Sequence, residues 1–147
     1  MNILISPAGK LMSRQRGLVR RAVRAALGAR RQRRGELCVI FVSDGRMRRL
    51  NREHLGKDRP TDVLAFPYDP EPGSAAPPFG DIFIALGVAR RQARALKHDE
   101  LTEWMTLAVH GVLHLVGYDD RRAAAKKRMF DRQSRIMRRL RPRAFNG

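Results

Sequence analysis

At 147 residues, 43% of them apolar, the chain has the length of one domain, 1–147, and enough apolar side chains to bury a core. No segment approaches the roughly 18 continuous apolar residues of a membrane span, and no secretory signal pattern is read. One cysteine, Cys38, excludes an internal disulfide and suggests a reducing compartment, with the cytoplasm as the expected location.

In chain order, Asn2 to Ser6 reads as a first short strand. Leu11, Leu18, Val19, Ala22, Val23, Ala26 and Leu27 recur at helical spacing, so 10–28 is expected to be an amphipathic helix with arginines outside, ended by Gly28. Residues 30–35 form a polar loop. Residues 37–43 are β-branched and aromatic and predict a buried strand, with Cys38 as a small hydrophobe inside it. Asp44 is expected to cap the next helix, which carries Met47 and Leu50. Pro60 interrupts any helix before Thr61, and Val63 to Phe66 is a second core strand closed by Pro67. Pro70, Pro72, Pro77 and Pro78 with Gly73 mark 68–79 as a mobile loop. Asp81 to Leu86 is a further strand. Helices follow at about 87–97, 100–116 and 121–141. Met129, Phe130, Gln133, Ile136, Met137 and Leu140 mark the buried face of the last one, with a frayed tail after Pro142. Strands that alternate with helices and then give way to helices predict an α+β fold, a small mixed sheet packed with about five helices.

The net charge of +17 is unevenly spread. Residues 1–35 hold ten basic residues and no acid, and residues 121–147 hold eleven basic residues and one acid, Asp131. Residues 36–120 have a net charge of −3. A GC-rich coding bias explains arginine over lysine, 26 against 5, but not the excess of cations. Basic segments at both ends of the chain suit a polyphosphate, so nucleic acid is the expected partner class. An organelle transit peptide is the alternative for the N-terminus. The segment is poor in serine, and its apolar positions fit a folded helix.

Residues 110–120 read His-Gly-Val-Leu-His-Leu-Val-Gly-Tyr-Asp-Asp. On a helix, His110 and His114 present both imidazoles on one face, a turn apart, as a helix does when it offers two nitrogens to one metal. Gly117 can end the helix and turn the chain back, so that Asp119 or Asp120 supplies a carboxylate. Two imidazoles and a carboxylate leave a tetrahedral zinc one open position. The plain alternative is a pair of helix histidines, one of them hydrogen-bonded in a core. A zinc peptidase is a poor reading, because the residue after the first histidine is Gly111 and not the glutamate that serves as general base there.

These eleven residues resemble the motif of the YbeY family of bacterial rRNA-maturation endoribonucleases, His-Gly-x-Leu-His-Leu-x-Gly-Tyr-Asp-His, with Asp120 in place of the last histidine. Residues 51–67 resemble the family's second motif, centred on Pro-Thr-Asp-Val-Leu-Ser-Phe-Pro, and Gly80-Asp81-Ile82 resembles a third. The resemblance implies a zincin-like, four-stranded, mainly parallel sheet with one antiparallel strand. It implies a single-strand-specific, metal-dependent endoribonuclease acting in 16S rRNA 3′-end maturation and ribosome quality control. It also implies one Zn²⁺ held by His110, His114 and Asp120. Asp119 matches the family's own aspartate, which leaves it as a turn residue or a partner to an imidazole N–H. The implied partners are rRNA precursor and the small subunit, with a small-subunit ribosomal protein and a ribosome-assembly GTPase. Many members have Tyr-Arg-Gly before Lys-Asp, whereas this chain has His54-Leu55-Gly56, so the family's functional arginine is absent. Lys57 and Arg59 are the cations expected to act with His114 in catalysis, and Arg52 is a third possibility. Asp62 and Asp81 are expected to be structural, Trp104 to be core, and His54 and His98 not to be ligands. The alternative function is a non-catalytic RNA- or ribosome-binding assembly factor that keeps the fold and the metal.

Aspartate at 120 replaces a neutral ligand by an anion, which acidifies a bound water less and widens metal choice toward Fe or Mn. Asp120→His should therefore move the pH–rate profile of RNA cleavage to lower pH; an unmoved or upward-shifted profile would sink this expectation.

Overall fold

The computed structural model describes residues 1–7, 13–69, 73–75 and 77–145, with side chains as far as Leu140. The elements are β1 (Asn2–Ser6), α1 (Ser13–Leu27), a 3₁₀ turn (Gly28–Gln32), β2 (Glu36–Val42), α2 (Asp44–Leu55), β3 (Val63–Pro67), β4 (Pro78–Ala85), α3 (Leu86–Leu96), α4 (Glu100–Leu115) and α5 (Ala123–Phe145). The sheet order is β1-β2-β4-β3. β1, β2 and β4 run parallel, and β3 lies antiparallel on β4, with Val63 opposite Ile84 and Pro67 opposite Gly80. This is the α+β fold with five helices and one antiparallel strand that was expected.

Alternation along the strands divides the core. Ile3, Ile5, Leu37, Val39, Phe41, Ile82 and Ile84 pack with α1, α4 and α5. Val42, Leu64 and Ala85 pack with Met47 of α2 in a smaller cluster. Trp104 is core, as expected: it is buried and meets Phe41 edge-on, with centroids 5.3 Å apart. Cys38 is only half-buried. Burial first, then the charges of Asp81 and Glu36, raise its thiol pKa and keep it protonated.

Several expectations change. The N-cap of α2 is Ser43, whose Oγ accepts from Arg46 N at 3.1 Å. Asp44 instead reaches α3: its Oδ1 accepts from Val88 N at 3.1 Å and its Oδ2 pairs with Arg91 at 2.9 Å. It caps a helix forty residues away rather than its own, a choice that local capping rules do not see. The polar loop after α1 contains the 3₁₀ turn. Phe130 is 62% exposed and does not belong to the buried face of α5. The last helix extends through Pro142 to Phe145, further than expected. The start of the first helix at 10–12, Leu11 included, and Pro70 and Pro72 of the 68–79 loop lie outside the described residues. Within that loop β4 already begins at Pro78, and Tyr68 N donates to Phe79 O at 3.2 Å, so the ends of the segment are tied into the sheet.

α4 approaches β4 unusually closely. A Cβ on Gly111 would stand 2.8 Å from Ile82 Cγ2, and one on Gly80 would stand 2.7 Å from Leu115 Cδ1. Two glycines, one on each partner, let helix and strand touch backbone to side chain. Gly111 therefore faces the sheet, and a larger side chain there would run into Ile82. The peptidase reading fails for a packing reason as well as a chemical one. Gly111→Ala should lower stability by about 1–3 kcal/mol through overpacking, read as a shifted denaturant midpoint; unchanged stability would show that Ile82 yields freely.

Candidate metal centre

Asp99 starts α4, its Oδ1 accepting from Thr102 N at 2.7 Å. The helix ends at Leu115, and Gly117, just beyond its C-cap Val116, has a φ of +105° that suits glycine. Gly117 N donates to His114 O at 3.1 Å and Tyr118 N to Leu113 O at 2.9 Å, the paired closure of a Schellman motif. That turn sends the chain back along the helix end and brings Asp120 to His114.

The resulting cluster is His110, His114 and Asp120, with one donor atom from each lying within 4.8 Å of the others. His114 Nε2 is 3.1 Å from His110 Nε2 and 3.5 Å from Asp120 Oδ2. Two donors at 2.0–2.1 Å from one tetrahedral zinc are about 3.3 Å apart, so both separations fit. His110 Nδ1 lies 2.9 Å from Gln133 Oε1 of α5. With that oxygen accepting, Nδ1 carries the hydrogen and Nε2 keeps its lone pair for a metal. His114 is half-buried; desolvation first, then the neighbouring His110, lowers its pKa, so it stays neutral and able to ligate at pH 7. The donor set suits zinc and also harder divalent ions, because one of the three donors is oxygen.

Of the two carboxylates, Asp119 turns away. Its Oδ1 accepts from Arg121 N at 2.9 Å, and Arg121 Nε contacts both of its oxygens. It is a turn residue leading to α5, and the imidazole partner that it was considered for is Gln133. Gln133 was legible only as a polar residue set among Met129, Ile136 and Met137 on one helix face. Its partner, 23 positions upstream, was not legible at all.

Lys57 and Arg59 are not in contact with this cluster. They line a cavity of about 460 Å³ together with Asn51, Leu55, Asp62 and Gln92, and none of the three donors lines it. That cavity lies at the Val63 end of β3, whereas Gly111 and Leu115 sit over Ile82 and Gly80. Asn51, which nothing in the sequence singles out, is buried and donates from Nδ2 to Arg59 O at 2.8 Å, fixing the loop. Arg52 is drawn to Asp58 at 3.5 Å, beside the closer Arg48–Asp58 pair at 2.9 Å. Leu55 is 54% exposed beside Lys57.

The remaining candidates have partners elsewhere in the fold. Asp62 Oδ1 accepts from Val63 N at 2.8 Å and its Oδ2 from Gln92 Nε2 at 3.2 Å. Asp81 accepts from the Tyr68 hydroxyl. His54 stacks on Phe66 with centroids 4.9 Å apart. His98 faces the buried Glu103 at 3.5 Å, and burial raises the Glu103 carboxyl pKa despite that histidine.

A mixed sheet with a two-histidine, one-carboxylate cluster at a helix end defines a protein with a site that could hold a metal ion. The model of the Endoribonuclease YbeY family matches residues 8–141. An Endoribonuclease YbeY from Elusimicrobium minutum is 39% identical over 125 residues, covering 84% of this chain and 87% of its own. One from Halalkalibacterium halodurans is 36% identical, covering 93% and 95%. Among solved structures, the solution structure of TM1509 from Thermotoga maritima superposes with a TM-score of 0.62 at 28% identity, covering 96% of this chain and 90% of that one. The chain belongs to the YbeY endoribonuclease family.

Gln133→Ala should weaken divalent-metal affinity by about 10–100-fold, because it frees the His110 ring to rotate and change tautomer. Calorimetric zinc titration reads this directly, and unchanged affinity would remove Gln133 from the site.

Proposed function

We propose that the chain is a single-strand-specific, metal-dependent endoribonuclease that acts on rRNA precursor, in 16S 3′-end maturation and ribosome quality control. The observation that carries this reading is the convergence of His110, His114 and Asp120 on one point, in a member of a family whose curated relatives are called endoribonucleases. A divalent ion bound there, with one Zn²⁺ per chain as our assignment, supplies a Lewis acid and an acidified water suited to phosphodiester hydrolysis.

The chain's own residues have separate tasks. Gln133 holds the His110 ring in register. His114, kept neutral by burial, offers a lone pair rather than a competing proton. Asp120 adds a negative charge that binds the cation more tightly and moderates its acidity. Lys57 and Arg59 make no ion pair among the described residues. We assign them to the phosphate charge of the RNA, in place of the arginine that Leu55 displaces. A small-subunit ribosomal protein and a ribosome-assembly GTPase are proposed partners, and the cytoplasm is the proposed location. No helix among the described residues is long and apolar enough to cross a membrane.

One observation favours a second reading, a non-catalytic RNA- or ribosome-binding factor that retains the metal. The position that carries the general base in histidine-helix peptidases is packed against Ile82, and an exposed leucine stands at 55. The two readings separate in one assay. Cleavage of a fluorophore–quencher single-stranded RNA should stop with chelator, return with added zinc and fall by about 100-fold or more in His114→Ala. RNA binding without turnover in the metal-loaded protein would select the second reading, and cleavage that survives chelation would sink the metal-dependent one.

A further inference from the structure

The two basic ends of the chain, far apart in sequence, meet in the fold. α1 packs against α5, and between them lies a cavity of about 600 Å³. Arg21, Arg24 and Arg31 line it from the first helix and the turn after it, and Arg132 and Arg139 line it from α5. No carboxylate is among the lining residues. None of the five arginines makes an ion pair among the described residues. Among the described residues, the one hydrogen bond from their guanidinium groups is Arg31 Nη1 to Gly28 O, at 2.8 Å. The apolar floor, Ile136 and Leu140, is buried at 3% and 6% exposure.

Five like charges around one cavity repel one another, and no carboxylate among the described lining residues compensates them. Guanidinium groups are rigid forks that fit phosphate oxygens in pairs, so a polyanion of repeated phosphates suits this lining. A buried floor gives no apolar side chain to insert into a lipid surface. The cavity also has a fixed relation to the metal centre. Arg132 and Gln133 are consecutive on α5, so their side chains leave the helix about 100° apart. One lines the arginine groove and the other holds His110.

We propose that the α1–α5 groove is an RNA-backbone anchor that grips phosphates of the substrate strand outside the metal centre, on a neighbouring face of α5. This rests on the RNA-substrate reading above and adds a second contact surface to it. The groove takes phosphates without reading bases, so it contributes affinity and strand path rather than sequence preference.

The test compares three forms of the full chain by anisotropy of a labelled single-stranded RNA of about twenty nucleotides over a salt series. They are the natural chain, the exposed groove pair Arg24→Gln/Arg139→Gln, and a control of equal charge change on α2, Arg46→Gln/Arg49→Gln. The groove pair should weaken binding by about tenfold at low salt and flatten the log–log salt slope by about 1.4, the value for two phosphate contacts on a single strand. The control should change affinity by less than about twofold. Arg24→Lys/Arg139→Lys, which keeps the charge and loses the fork, should fall between natural chain and groove pair, and it stands in should the double glutamine variant not fold. If the groove variants track the control, the anchor does not exist. Cleavage is read separately: a natural chain that binds through the groove yet cuts no RNA would sink the endoribonuclease reading alone, and cutting with no groove effect would sink the anchor alone.

Discussion

The closeness of α4 to β4 is the constraint on which the rest depends. Gly111 lies on Ile82, and Leu115 lies over Gly80. A helix seated this tightly cannot roll, because any rotation drives a side chain into the sheet. Its orientation then decides which residues face where. Val109, Val112 and Leu113 are buried in the core, while His110 and His114, on a face that does not meet β4, turn toward α5 and the chain that follows Gly117. The same seating explains why position 111 carries no functional group. The two glycines are structural residues whose effect is to aim a pair of imidazoles.

Around those imidazoles the chain separates rigidity from charge. His110 is held by an uncharged amide on another helix, which orients the ring without adding to the site's charge. Asp120 supplies the only anion of the donor set, and it arrives from the turn rather than from a packed helix. Its neighbour Asp119 is spent on the backbone of that turn and on Arg121. Two adjacent aspartates of identical chemistry thus divide into a donor that faces the histidines and a brace that shapes the loop. Backbone geometry makes the division.

Electrostatics follows from packing in the same way. The segment between the two basic ends carries a small net negative charge, and many of its acids are taken up locally: Asp58 by Arg48, Asp44 by the N-terminus of α3 and Arg91, Glu100 by Arg90. Exposed pairs of this kind contribute little to stability, on the order of 0–1 kcal/mol. Arg21, Arg24, Arg132 and Arg139 make no ion pair among the described residues, so positive charge gathers where α1 meets α5.

Local physics made much of this legible in the sequence alone. Short apolar runs bounded by turn residues marked the strands, and apolar residues at helical spacing marked the first and last helices. The four-residue spacing of His110 and His114 and the glycine at 117 marked the helix of the candidate metal centre and its end, because burial and chain reversal leave periodic and compositional traces within a dozen residues. The tertiary structure decided whatever depends on a partner distant in sequence. It gave Asp44 to α3 instead of α2, exposed Phe130, paired Gln133 with His110, set Lys57 and Arg59 along another cavity, and joined two basic segments a hundred residues apart. Periodicity says that a face is buried or that a donor is present. It does not say what the face is buried against or which donor meets which, since those contacts are set by how the helices pack on the sheet.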